Sequence, residues 1–320
     1  MIWEYVGLWL RRQKGDRAKK ALFFWDQAHH FFKASEVLPI ESKPLTSYYC
    51  CLNAAKALLA IRGSSSISLD GIVHGIQREK TLNWSSIKDA KVIFKENGVL
   101  CELSKYFEED YTKKTYSIYD LLYNIPVVHR AFSITFNCVE LFVPISSPEI
   151  WNDPSLGMGW GEFLLEERYS NKKLIKSIPA SYMVIGNESG KYRMKCQHSF
   201  DWKTRGMTKA KKLSNLSDYH KKLRRDIFYI FGDTKLWYIK KTLPSNSSVL
   251  DRHSITLIYA VMHWLSELVR YFPERFSKLM HTKQNWVIRE FIENALTQYI
   301  DEIACEITRT DIMVTGMRKA

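Results

Sequence analysis

The sequence predicts an α+β fold, mostly helical: N-terminal helices, a small antiparallel β-rich middle and a C-terminal helical bundle. Three observations lead there. Apolar residues recur at helical spacing near both ends of the chain. Between residues 96 and 202 the spacing changes to short runs bounded by turn residues. Only 9 prolines and 14 glycines occur in 320 residues, so few breakers interrupt the periodic stretches. Three parts follow from this reading: 1–95 helical, 96–202 β-rich, and 203–320 a basic segment with the C-terminal bundle.

Taken in order, Arg17 to Glu36 reads as a helix, with Ala21, Phe24, Trp25, Ala28, Phe31 and Phe32 on its apolar face and Leu38-Pro39 as its stop. The segment Pro44-Leu45-Thr46-Ser47 offers an N-cap to a second helix. Tyr48, Cys51, Leu52, Ala55, Leu58 and Leu59 follow at i, i+3, i+4, i+7, i+10 and i+11, and Ala54, Ala55, Ala57 and Ala60 allow a close neighbour. Gly63-Ser64-Ser65-Ser66 stops it. Tyr116 to Tyr123 reads as a short helix ending at Asn124-Ile125-Pro126. Strand-like runs come next: Val139–Ile145, Gly161–Leu165, Tyr182–Ile185 and Tyr192–Phe200, with turns expected at Ser146-Ser147-Pro148 and from Gly186 to Gly190. Helices return after residue 208. Ile258, Val261, Leu265, Leu268 and Phe272 give one stripe, and Ile288, Phe291, Ala295, Tyr299 and Ile303 another, with a turn expected at Pro273 and His281–Gln284.

A hydrophobic fraction of 46% supports a sizeable core and excludes a disordered chain. The six cysteines (Cys50, Cys51, Cys101, Cys138, Cys196, Cys305) form no C-x-x-C pair, which argues against a zinc site or disulfide framework and fits a reducing compartment. The first twelve residues are apolar, but their positive charge follows the apolar run, the reverse of an export signal. No apolar run of about 18 residues exists, so no membrane span is expected and the cytoplasm is the predicted location. No cofactor is predicted.

The net charge of +13 is concentrated. Residues 1–20 carry +4 and residues 203–225 carry +8, so 43 residues hold nearly all of it. The second cluster contains Lys203, Arg205, Lys209, Lys211, Lys212, Lys221, Lys222, Arg224 and Arg225 against Asp218 alone. Such a cluster attracts polyanions, because each phosphate neutralised releases a condensed counterion. Tyr219 and His220 lie within it and are candidates to stack on bases. Lys209, Lys211, Lys212, Lys221, Lys222, Arg224 and Arg225 are the predicted nucleic-acid contacts. A solvated helix face is the plainer alternative.

Two segments carry a resemblance. The run from Ser47 to Gly63 (SYYCCLNAAKALLAIRG), with Val73-His74-Gly75-Ile76 after it, resembles the second helix of HEPN proteins, and the helix containing Gln27-Ala28 fits the first. More broadly, residues 20–310 resemble the YaaC-like family, on that helical start, on Asn97-Gly98-Val99, on Tyr116 to Pro126 (YSIYDLLYNIP) and on Met262 to Glu274 (MHWLSELVRYFPE). The family resemblance implies a fold and assigns no catalytic residue. The HEPN resemblance implies helical packing for residues 1–95 and, by association, RNA and phage defence.

HEPN nucleases use an Arg-x(4–6)-His pair, in which histidine moves the proton of an RNA 2′-hydroxyl and arginine stabilises phosphate charge. Arg275 and His281 have this spacing on a helical segment and are the candidate catalytic pair. Arg193 and His198 also match, in a strand-like run. Seventeen arginines and nine histidines yield about one such match by chance. His74 has no arginine at the required distance and reads as a loop histidine bonded to backbone. Glu108-Glu109-Asp110 and Glu166-Glu167 read as solvated acidic turns, because adjacent carboxylates diverge and cannot readily share an ion. P-loop, G-x-S-x-G, G-x-G-x-x-G and H-E-x-x-H motifs are absent. The sequence therefore predicts a nucleic-acid-associated protein, RNA rather than DNA, without a clear catalytic motif. The alternatives are a metal-independent ribonuclease and a helical adaptor that docks an acidic protein partner; an oligomer is compatible with any of these.

Overall fold

A computed structural model describes the chain apart from residues 1, 65–67, 81–85, 233, 244 and 311–320. Ser65 and Ser66 of the expected helix stop therefore lie outside the described residues. The chain divides into two compact units, Met1–Val139 with Leu250–Ala320, and Glu140–Val249. The three-part reading of the sequence gives way to this division: residues 96–139 belong with the helices, and 203–249 with the larger sheet.

The helical unit begins with α1 (Ile2–Arg12), which buries Trp3, Val6, Gly7 and Leu10 at i, i+3, i+4 and i+7. α2 (Asp16–Glu36) follows, and its Trp25 indole donates to the Trp3 carbonyl at 3.1 Å. α3 (Lys43–Arg62) starts earlier than the expected cap, with Pro44 in its first turn, where a missing N–H costs nothing. Ala54, Ala55, Ala57 and Ala60 are all buried, and α3 packs against α2. Arg17 reaches across to the Ala60 carbonyl at 2.8 Å and to the Gly63 carbonyl, closing the C-terminal end of α3.

A small sheet unseen in the sequence comes next: β1 (Ile76–Arg78), β2 (Lys91–Phe94) and, after α4 (Val99–Tyr106), β3 (Lys114–Ser117). Its order is β1-β2-β3, antiparallel throughout, with Val92 and Phe94 facing inward. Lys114–Ser117 is thus strand where helix was expected from Tyr116. The Ser117 hydroxyl accepts from the Asp120 N–H at 3.0 Å and starts α5 (Ile118–Tyr123) two residues later. α6 (His129–Phe136) ends this stretch.

The second unit is a sheet with one long helix. Its elements are β4 (Phe142–Asp153), β5 (Met158–Leu165), the single turn α7 (Lys172–Ile175), β6 (Tyr182–Glu188), β7 (Lys191–Cys196), β8 (Phe200–Asp201), α8 (Lys209–Leu223), β9 (Ile227–Ile230) and β10 (Leu236–Lys240). The strands run β6-β7-β5-β4-β10-β9, with β8 added beside β5, and every pairing is antiparallel. Ser146-Ser147-Pro148 is a bulge inside β4, where register shifts between Ser146 and Glu149 and Ser147 takes φ +47°. The hairpin turn is confined to Ser189-Gly190, both at positive φ. One sheet face buries Val143, Ile145, Phe163, Leu165, Met194 and Ile239 together with Tyr219 of α8.

The chain then returns to the helical unit. α9 (Ser254–Tyr271) buries the whole predicted stripe from Ile258 to Leu268, each aliphatic side chain contributing roughly 1.5–3 kcal/mol. α10 (Pro273–Met280) stands between the two expected turn positions, His281–Gln284 is a turn as expected, and α11 (Asn285–Thr308) follows. The Tyr299 hydroxyl donates to the Cys51 carbonyl at 3.1 Å and fixes α11 against α3. All six cysteines are free, with Cys50, Cys51, Cys101 and Cys196 buried.

Candidate functional site

The predicted nucleic-acid contacts lie on and just after α8. Thr208 caps the helix, its hydroxyl accepting from the Lys211 N–H at 3.3 Å. The helix is held down by one face: Leu216 and Leu223 pack on the sheet core, and the Tyr219 hydroxyl accepts from the Gly161 N–H at 2.7 Å. Tyr219 is 3% exposed with its ring 4.7 Å from Phe200, so it is an anchor and cannot stack on a base. Lys209, Lys211, Lys221, Lys222 and Arg225 are exposed, as are Lys203, Arg205 and His220. Lys212 and Arg224 are half-buried, and the Lys212 ammonium lies 5.7 Å from the Trp202 ring. Lys209, Lys211, Lys221 and Lys222 have no acidic partner among the described residues. Lys221 and Lys222 suit the C-terminal end of a helix, but Lys209 and Lys211 stand in the first turn, where the helix field opposes a cation. Nothing in the helix itself favours them there.

Arg275 and His281 sit six positions apart in and just after α10, about 240° around its axis. The His281 ring hydrogen-bonds the Ser277 carbonyl at 2.7 Å, which makes it a cap on its own helix end. Arg193 is bound through Nε to Glu188 at 2.6 Å and through Nη1 to Glu162 at 3.1 Å, and serves the sheet.

Within the acidic runs Glu108, Asp110 and Glu167 are exposed as expected, and Glu109 is the exception. Glu109 is buried and ion-paired: Arg252 Nη1 donates to it at 3.1 Å and also to Ser104 Oγ at 3.1 Å, while Nη2 donates to the Tyr116 hydroxyl at 3.0 Å. The other oxygen of Glu109 accepts from the His253 N–H at 2.5 Å and the Thr256 hydroxyl at 2.9 Å. Glu166 pairs with Lys191 at 3.1 Å. Among the described residues no group of three or more His, Cys, Asp or Glu side chains could hold a metal ion.

A cluster the sequence did not assemble lies between α3, α9 and the segment 73–75. His74 is exposed, and its Nδ1 meets the buried Tyr48 hydroxyl at 2.5 Å rather than a backbone group. Tyr48 Oη lies 3.1 Å from Tyr259 Oη, and the Tyr259 hydroxyl donates to the His74 carbonyl at 3.2 Å. Each hydroxyl has one proton. With the Tyr259 proton on the His74 carbonyl, the Tyr48 proton goes to Tyr259, and Tyr48 can only accept from His74. The circuit closes with the proton on Nδ1 and the Nε2 lone pair of His74 left over. Proton-detected imidazole nitrogen NMR should therefore show Nδ1 of His74 protonated near neutral pH, and Tyr48→Phe should release that preference. A protonated Nε2 in the wild type would break the circuit.

His263 lies beside these rings, its centroid 4.9 Å from Tyr48 and 5.5 Å from His74. Its Nδ1 faces Glu267 Oε2 at 3.9 Å, beyond hydrogen-bond reach, and neither buried atom has a hydrogen-bond partner among the described residues. Burial first, then His74 and Lys95, push the His263 pKa down to about 3, so its ring is neutral at physiological pH. Partial desolvation and then the charge of Lys56 lower that of His74. Burial raises the Glu267 carboxyl and both phenols.

The segment 73–75 is fixed by a close backbone crossing. Val99 N–H donates to the Val73 carbonyl at 2.9 Å, Leu100 N–H to the His74 carbonyl at 3.1 Å, and Lys95 N–H to the Gly75 carbonyl at 2.9 Å. Segments from Ser47, Val73, Asn97 and Met262, which carry the family resemblance, thus meet at one place. Comparison with curated proteins gives no match, and comparison with solved structures gives none either. The profile of the YaaC-like Protein family matches residues 9–307, nearly the whole chain, and the protein belongs to that family.

Proposed function

We propose that this protein binds nucleic acid through the exposed bases of α8 and its flanks. The observation that carries the reading is the set of cations on α8 without acidic partners, two of them placed where the helix field disfavours them. The resemblance of the N-terminal helices to HEPN proteins favours RNA over DNA and supports a place in phage defence. Binding rather than cleavage is the activity proposed, because His281 is engaged by its own helix end.

Binding of a labelled single-stranded RNA, followed by fluorescence anisotropy, tests this. With about four or five phosphates neutralised on a single strand, affinity should fall roughly 50- to 100-fold between 50 and 200 mM salt. Changing Lys209, Lys211, Lys221 and Lys222 to Glu should abolish binding and leave the circular dichroism unchanged, since all four side chains are exposed. A wild type that binds neither RNA nor DNA at low salt, but does bind an acidic polypeptide, would replace this reading with the adaptor. Chelator-resistant RNA cleavage that disappears in His281→Ala would replace it with the ribonuclease.

A further inference from the structure

We infer that Trp202 stacks on one unpaired base of a nucleic acid bound along α8, which makes this surface selective for single strands. The inference rests on the reading of α8 given above and adds the kind of strand it accepts. Stacking needs a fixed aromatic ring with an accessible face, beside cations that follow the phosphates. Tyr219 is buried and cannot supply that ring. Trp202, beside the first half of α8, is only half-buried.

Three contacts hold it in place. Phe200 is part of the sheet core, and its ring meets the Trp202 indole edge-on at 5.9 Å. The Trp202 N–H donates to the carbonyl of Gly157, in the turn between β4 and β5, at 2.7 Å. The Asn215 amide of α8 donates to the Asp201 carbonyl at 3.0 Å. A ring fixed in this way loses little freedom when a base covers it. Part of the indole packs on the sheet core, and the Lys212 ammonium lies 5.7 Å from the ring centroid. The flexible lysine can leave the ring for a phosphate and make room for a base.

The charge nearby favours a polyanion. Lys203 and Arg205 follow Trp202 in the chain, and Lys209 stands about one helical turn before Lys212. Lys203, Arg205 and Lys209 are exposed, and none of these four cations has an acidic partner among the described residues. The adjacent acid, Asp201, alternates to the opposite face of β8. A duplex offers phosphates to such a surface but keeps its bases stacked on one another, so only an unpaired base reaches the indole.

Exposure alone does not single out this tryptophan. Trp151 is 45% exposed and pairs with Trp160 across β4 and β5. Trp160 alternates with Gly159 and Gly161, whose positions face Phe200 and Tyr219. Both indoles therefore lie on the sheet face away from α8. Trp160 is also covered by the Lys195 ammonium, 3.5 Å from its centroid. Trp151 is thus the control.

Fluorescence anisotropy with a mixed-sequence single-stranded RNA, and with the same strand annealed to its complement, tests the platform. Trp202→Leu keeps an apolar side chain on the core and removes the ring. It should weaken the single-strand complex roughly 5- to 150-fold, the range that one stacked base supplies. The duplex complex and both salt slopes should stay unchanged, because stacking releases no counterion. Trp151→Ala should bind both forms as the wild type does. A second readout does not depend on the Leu variant folding: RNA should quench the wild-type indole emission, and Trp202→Phe should bind almost as well with most of that quenching gone. Unchanged single-strand affinity in Trp202→Leu, an equal loss on the duplex, or quenching that persists in Trp202→Phe overturns the stacking role and leaves binding by the α8 cations standing. A loss in Trp151→Ala as large as in Trp202→Leu overturns it equally. A wild type that binds neither form removes the reading of α8 itself, and this inference with it.

Discussion

Gly98→Ala is expected to destabilise the helical unit by at least about 3 kcal/mol, the sum of backbone strain and lost hydrogen bonds. Gly98 precedes α4 with φ 96° and ψ −178°. That region is open essentially to glycine alone, and another residue held there costs about 1–3 kcal/mol. A Cβ at Gly98 would lie 2.5 Å from the Gly75 nitrogen and 2.6 Å from both the Gly75 Cα and the Val73 carbonyl oxygen. These are backbone atoms and cannot swing aside as a side chain would. Relief requires the two segments to part, which strains the three bonds from Lys95, Val99 and Leu100 to residues 73–75, each worth about 1 kcal/mol. Gly71→Ala is the control: its φ is +66°, but its Cβ would meet nothing within 4 Å, so only about 1–2 kcal/mol should be lost. Urea denaturation of both variants checks the ranking. An unchanged midpoint for Gly98→Ala would mean that the crossing is looser than described.

The same crossing shows why the site was hard to read from the sequence. His74 reads in the sequence as a loop histidine, because no arginine stands at the spacing of an Arg-x(4–6)-His pair. Its partners, Tyr48 and Tyr259, are 26 and 185 positions distant; Tyr48 sits on a helix stripe that reads as core, and Tyr259 stands next to one at Ile258. Helical periodicity reports that a face is buried; it does not report that two buried phenols point at one another. The glycines were the available signal. Gly75 and Gly98 stand in segments already singled out, and a glycine between apolar residues marks close backbone approach as well as a turn.

The long helices were legible for a physical reason. α2, α9 and α11 run for 18 or more residues, so their apolar faces repeat four or five times. β9 and β10 are four and five residues long, and Ile227-Phe228-Tyr229-Ile230 is continuously apolar, which periodicity cannot distinguish from a helix segment. Such strands gain their identity from partners far along the chain: β10 pairs with β4, almost a hundred residues earlier. The bulge at Ser147 misled for a related reason, since Ser-Ser-Pro is turn chemistry that this sheet uses to bend a strand and continue it. The basic cluster was fully legible as charge. Tyr219 was not, because a tyrosine among lysines looks the same in sequence whether it faces solvent or Gly161.

Glu109→Ala is expected to destabilise the same unit by about 3–5 kcal/mol, the usual cost of leaving one member of a buried ion pair alone. The Arg252 and Glu109 side chains are 3% and 5% exposed, so neither can recover its hydration without opening the structure. Two effects compete in this loss, the stranded guanidinium and the acceptors removed from the start of α9. Arg252 keeps Ser104, Tyr116 and the Phe94 ring 5.1 Å away, which lessens the first. The His253 N–H and the Thr256 hydroxyl lose their carboxylate oxygen, and the field at the N-terminal end of α9 loses a favourable anion. Glu109→Gln separates the two, because it keeps an acceptor and removes the charge. If the stranded charge dominates, Gln should be nearly as damaging as Ala; if the acceptors dominate, it should recover more than half of the stability. The double variant Glu109→Leu with Arg252→Met should lose much less than Glu109→Ala, since no lone charge remains. α9 carries Tyr259 and His263, so the protonation of His74 seen by NMR should also change in Glu109→Ala. A loss below about 1 kcal/mol would place the pair among solvent-screened surface bridges and sink this account of how α9 is held.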